Sequence, residues 1–142
     1  MNLSLKTASE IIAASRRHAA EYELKPLTVV VYDSGGHLIA AEREDGASIK
    51  RYEIASGKAQ GALAFGMGSR ALMQRAEAQS YFIAAATAAT GGSLIPVPGG
   101  VLIRDQDSEL IGAIGISGDT SDADEAACVA GVHAVGLLAQ VD

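Results

Sequence analysis

Residues 98–131, PGGVLIRDQDSELIGAIGISGDTSDADEAACVAG, decide the fold of this chain. Residues 101–103 and 110–116 are apolar runs rich in β-branched side chains, and the polar segment 104–109 between them has the length of a hairpin connection. Two antiparallel strands are expected. Gly112 and Gly115 interrupt the second run and Gly118 follows it, and glycine inside a strand marks a bulge or a close approach by another backbone or a ligand. Ser121 and Asp124 then have capping-box spacing, which predicts a helix over about 122–140. A glycine loop running into a helix N-terminus also suits anions. Here Asp119, Asp122, Asp124 and Glu125 crowd that terminus and argue against phosphate. The same carboxylates suit a hard metal or an acid–base pair, but compensation of the helix dipole is their ordinary role.

Working outward, Leu5, Ala8, Ile12, Ala19 and Tyr22 fall at helical spacing and predict a helix over 5–23, stopped by Pro26. Residues 27–32 and 37–42 read as strands around the turn Asp33-Ser34-Gly35-Gly36. Helices are expected over 48–65, 69–77 and 80–89. The segment 91–100, GGSLIPVPGG, is too broken for regular structure and suits a loop lying across a cavity mouth. The order helix, hairpin, helices, hairpin, helix implies an α+β fold, with an antiparallel sheet covered by helices, in a single domain over residues 1–142.

The composition supports this reading. Hydrophobic residues make up 49% of the chain but aromatics only 4%, while glycine numbers 16, so the core is expected to be aliphatic and closely packed. Such small-residue faces also suit subunit interfaces, and a homo-oligomer is expected. The net charge of −6 gives no basic footprint for nucleic acid. There is no long apolar segment of signal or membrane-spanning type, so a cytoplasmic protein without a membrane partner is expected. Cys128 stands alone and is expected to be a small buried hydrophobe. No His-x-x-x-His or Glu-x-x-His pattern occurs, and no protein-bound zinc is expected. Gly-Ile-Ser-Gly around Ser117 lacks the five-residue nucleophile elbow, which disfavours a hydrolase.

VVVYDSGGHLIAAERED from Val29, the pair Lys58-Ala59, PGGVLI and IGAIGISGDTSDADEAACVAG together resemble the GlcG/HbpS-like family of haem-binding proteins, related to the C-terminal domain of PduO-type corrinoid adenosyltransferases. The resemblance covers nearly the whole chain. It implies a profilin-like antiparallel sheet of four to five strands flanked by helices, oligomeric assembly, and haem or another tetrapyrrole as ligand. The chain departs from the pattern at Leu102, where many relatives have proline, and at Gln106-Asp107-Ser108, where they have a glycine-containing turn.

Among His18, His37 and His133, the edge of the apolar stripe on the first helix makes His18 the first choice as axial metal ligand, against the plain reading of a surface histidine beside Arg16 and Arg17. Tyr22, Tyr32, Tyr52 and Tyr81 remain alternative ligands to haem iron. Lys58, within the Ala55/Ala59/Ala62 face, suits a propionate or another carboxylate, or else an ion pair with Asp45 or Asp33. Gly99, Gly100 and Ser117 are expected to wall the ligand pocket. A second function stays open: an enzyme acting on a small organic acid or catabolic metabolite in the same pocket through Lys58, Asp124 or Glu125.

Overall fold

Ser4 starts the first helix, its hydroxyl accepting the Thr7 backbone N–H at 3.1 Å. The computed structural model describes residues 2–142. The elements run α1 (Leu5–Glu21), β1 (Thr28–Asp33), β2 (Leu38–Arg43), α2 (Arg51–Phe65), α3 (Ser69–Ala78), α4 (Ser80–Ala89), β3 (Gly100–Arg104), β4 (Leu110–Ser117), α5 (Ser121–Ala134) and β5 (Leu138–Gln140). The expected α+β class, with helices on an antiparallel sheet, is what the chain adopts. Strand order is β2-β1-β4-β3-β5, so the two hairpins lie side by side with β1 against β4.

Alternation along the strands separates two cores. Val29, Val31, Ile103, Ile114 and Ile116 face α1 and α5, meeting Ile11, Ile12 and Val132. Val30, Tyr32, Leu102 and Ala113 face α2 and meet Ala55, Ala59 and Ala62. The glycines in β4 do what strand glycines do. Gly115 pairs with Gly100 across the β3–β4 ladder. A Cβ on Gly115 would lie 2.0 Å from the Ala55 carbonyl oxygen, and one on Gly100 would lie 2.2 Å from that of Lys58. The backbone of α2 therefore rests directly on the sheet.

Three local expectations are corrected. The last helix stops at Ala134 instead of continuing to 140, because Gly136 takes a left-handed φ of 75° and turns the chain into β5, which pairs with β3. The cap of α5 is Thr120 and not Ser121: its hydroxyl accepts the Ala123 N–H at 3.2 Å, while Asp124 is drawn away to other partners. Helix α2 begins at Arg51, with Ser48 in the turn before it, accepting from the Arg51 side chain at 3.1 Å.

In the β3–β4 connection Ser108 has φ 65°, a conformation costly for a residue with a Cβ. This is the turn where the resemblance implies glycine. Ser108→Gly is expected to stabilise the fold by about 0.5–1 kcal/mol, since relief of strain exceeds the added unfolded-state entropy. Thermal unfolding of the variant checks this, an unchanged or lower midpoint being the adverse result.

Candidate functional site

The sequence-predicted residues fall in two places. Lys58, Gly99, Gly100 and Ser117 converge around the adjoining ends of β3 and β4. His18 stands apart on α1, in the layer on the other face of the sheet from α2.

The first cluster is filled by protein. Lys58 is 2% exposed, and its ammonium donates to the Ile116 carbonyl at 2.8 Å and to Asp124 Oδ2 at 3.2 Å. The expected partners Asp45 and Asp33 are thus replaced by Asp124, a residue of α5. The lysine reaches that layer past Gly99, where φ is 117° and a Cβ would come within 2.9 Å of both Lys58 Nζ and the Ile116 oxygen. Gly99 is the gap through which the two layers are joined. Burial raises the Asp124 pKa, opposed by the Lys58 charge and by the Asp119 N–H that Oδ1 accepts at 3.0 Å. Ser69 Oγ accepts the Gly100 N–H at 2.7 Å, and Ser117 Oγ accepts from Arg51 at 3.0 Å. Cys128 is buried with Sγ 3.4 Å from the Gly99 oxygen, and burial pushes its thiol pKa up.

The other acidic residues at the start of α5 also have partners. Arg70 pairs with Glu125 at 3.0 Å and with Asp122 at 2.5 Å, so charge pairing supplements the helix dipole there. Among the described residues, no three His, Cys, Asp or Glu side chains gather into a metal-holding group.

His18 is half-buried, and its ring lies 4.5 Å from that of Tyr22 in a tilted arrangement. Among the described residues the imidazole has no hydrogen-bond partner. Beside it, Arg16 is committed to Glu42 at 2.6 Å and Glu44 at 3.1 Å, whereas Arg17 is exposed and makes no ion pair among the described residues. The other histidines differ. His37 Nδ1 lies 3.3 Å from Asp33, whose carboxyl is held below its usual pKa chiefly by the His37 backbone N–H. His133 is exposed in the last turn of α5.

Two open cavities flank Gln60 on the α2 face. One, of about 350 Å³, is lined by Tyr32, Tyr52, Glu53, Ser56 and the 91–93 loop; the other, of about 250 Å³, lies against residues 34–36 and Leu63. The expectation that the glycine-rich segment lies at a cavity mouth holds for residues 91–93. The polar groups beneath it are hydroxyls, an amide and the Glu53 carboxylate, with Lys58 and Asp124 elsewhere. The sequence offered Tyr32 and Tyr52 only as alternative ligands to haem iron and gave no notice of Ser56 and Gln60 beside them. The available signal was the polar i, i+4, i+8 series Tyr52, Ser56 and Gln60 on one flank of a helix.

A five-stranded antiparallel sheet between an α1/α5 layer and an α2 layer is an α+β scaffold that this chain shares with solved structures. A family model described as "Haem degrading protein HbpS-like" matches residues 3–133, and the chain belongs to that family. A PduOC:haem complex has a TM-score of 0.87 at 22% identity, covering 97% of this chain and 98% of the other. HbpS gives 0.81 at 24%, covering 96% and 92%. Klebsiella pneumoniae protein ORFY gives 0.82 at 22%, covering 92% and 88%. No curated protein matches the chain. Among the described residues, no helix is long and apolar enough to cross a membrane.

Proposed function

We propose that this chain is a cytoplasmic, oligomeric protein that binds haem or a related tetrapyrrole on α1, where His18 would hold the iron. The observation that carries this reading is the His18 imidazole, half-buried, set against the Tyr22 ring and without a hydrogen-bond partner among the described residues. The donor chemistry fits the group. A neutral imidazole is a common ligand to haem iron, the Tyr22 ring, on a residue 63% exposed, offers a flat apolar surface, and Arg17 supplies a cation for a propionate. Bound haem would supply a redox-active iron. Lys58 is left out of this set because its ammonium is sealed against Asp124.

Oligomerisation enters through α4. Its sequence, SYFIAAATAA, is apolar all round, yet it buries only Ile83 and Ala86, and Tyr81 is 72% exposed. A helix of that composition belongs in an interior, and a second copy of the chain is the cover we assign to it.

Titration of the purified protein with haemin is expected to give a saturable, red-shifted Soret band. Absence of any spectral change at micromolar haemin would contradict the reading.

A further inference from the structure

A polar trough on the α2 face, on the other side of the sheet from α1, is used by none of the above. Its floor is the Tyr32 phenol, on a residue 3% exposed, hydrogen-bonded to Ser56 Oγ at 2.9 Å. The Tyr52 hydroxyl is its neighbour, and burial raises the Tyr32 pKa, so the phenol keeps its proton and remains able to donate. Gln60 forms the waist. Its Nε2 donates to the Gly36 oxygen at 3.4 Å and its Oε1 accepts from Ser93, so one side chain bridges the β1–β2 turn and the loop before β3. The cavities of about 350 and 250 Å³ meet at this residue. The larger is within the size range of small-molecule sites.

The charges select the ligand class. Among the described residues no lysine, arginine or histidine lines either cavity, so an organic acid would meet the Glu53 carboxylate and find no cation on the walls. That carboxylate, Glu53, already has Lys50 at 4.0 Å, which lessens its pull on a cationic ligand. The remaining groups are hydroxyls and an amide, each able to donate and accept, beside the half-exposed ring of Tyr52. Vicinal hydroxyls on an apolar carbon frame need that combination: paired donors and acceptors around the ring edge and an aromatic face for the C–H surface.

We propose that this trough binds a small uncharged polyhydroxylated molecule, of the size and hydroxyl density of a hexose or an inositol. The site is independent of His18 and of haem.

Saturation-transfer NMR on haem-free protein tests it, with D-glucose and myo-inositol as probes and succinate and ethanolamine as charged comparators. Transfer to at least one polyol is expected, exceeding that to either comparator. It should fall at least threefold in Tyr52→Phe and in Gln60→Ala, while His18→Ala leaves it unchanged. Thermal unfolding of Tyr52→Phe close to that of the parent shows that the loss is local. No transfer to either polyol, stronger transfer to succinate or ethanolamine, or polyol transfer undiminished in the two trough variants would overturn the proposal.

Discussion

Lys58→Met is expected to lower stability by about 3–5 kcal/mol at neutral pH, because it leaves the Asp124 carboxylate buried without its cation. For a chain of this size that is a fall of roughly 10 °C or more in the unfolding midpoint. The pH dependence has a definite sign. A carboxyl whose folded-state pKa lies above its unfolded one contributes stability that is full below the unfolded pKa and is lost as pH rises through the folded pKa. Burial already raises Asp124 in the parent, and Lys58 is the largest influence in the opposite direction. Removing Lys58 raises Asp124 further, so the deficit of Lys58→Met is largest at neutral pH and narrows on acidification. Lys58→Met combined with Asp124→Leu should recover most of the loss, since neither charge then remains buried alone. Denaturant unfolding of the three proteins across pH checks this. A deficit that does not vary with pH would mean that Lys58 contributes by packing alone.

The second large effect is expected at Gly115. An alanine Cβ there would lie 2.0 Å from the Ala55 carbonyl oxygen, with the Ala59 methyl at 3.1 Å. The obstruction is helix backbone, which no rotamer change relieves, so α2 must lift from β4. A loss of about 3 kcal/mol is expected, at the upper end for overpacking. The lift also moves Lys58 relative to Asp124, so Gly115→Ala and Lys58→Met should combine to less than the sum of their separate effects. Full additivity in denaturant titrations would show that the glycine contact and the buried pair are independent.

Gly115 also shows how far the sequence alone carries. A glycine in the middle of a β-branched run has few explanations, and close backbone approach is among the commonest. The hairpins were legible for a similar reason, since Asp33-Ser34-Gly35-Gly36 leaves the chain little alternative to a turn. β5 was not legible. Leu138–Gln140 contains no β-branched residue, and its strand conformation comes from the open edge of β3 beside it. The Thr120 cap was hidden by an equally suitable hydroxyl at Ser121, the choice being settled by Asp124 turning towards Lys58, 66 residues away in the chain. Of the candidate site, the histidine was visible as chemistry, but its setting against the Tyr22 ring, with no hydrogen-bond partner among the described residues, is a feature of the folded chain. Arg16 turns to Glu42 and Glu44, and the β2 strand that brings Glu42 there is a tertiary feature.

Haemin titration of His18→Ala, His37→Ala and His133→Ala in parallel tests the central claim most directly. Loss of the shifted Soret band in His18→Ala alone, with the other two variants matching the parent, is the predicted result. An unchanged band in His18→Ala, or its loss in either of the other variants while His18→Ala retains it, would contradict the assignment of His18 as the haem ligand.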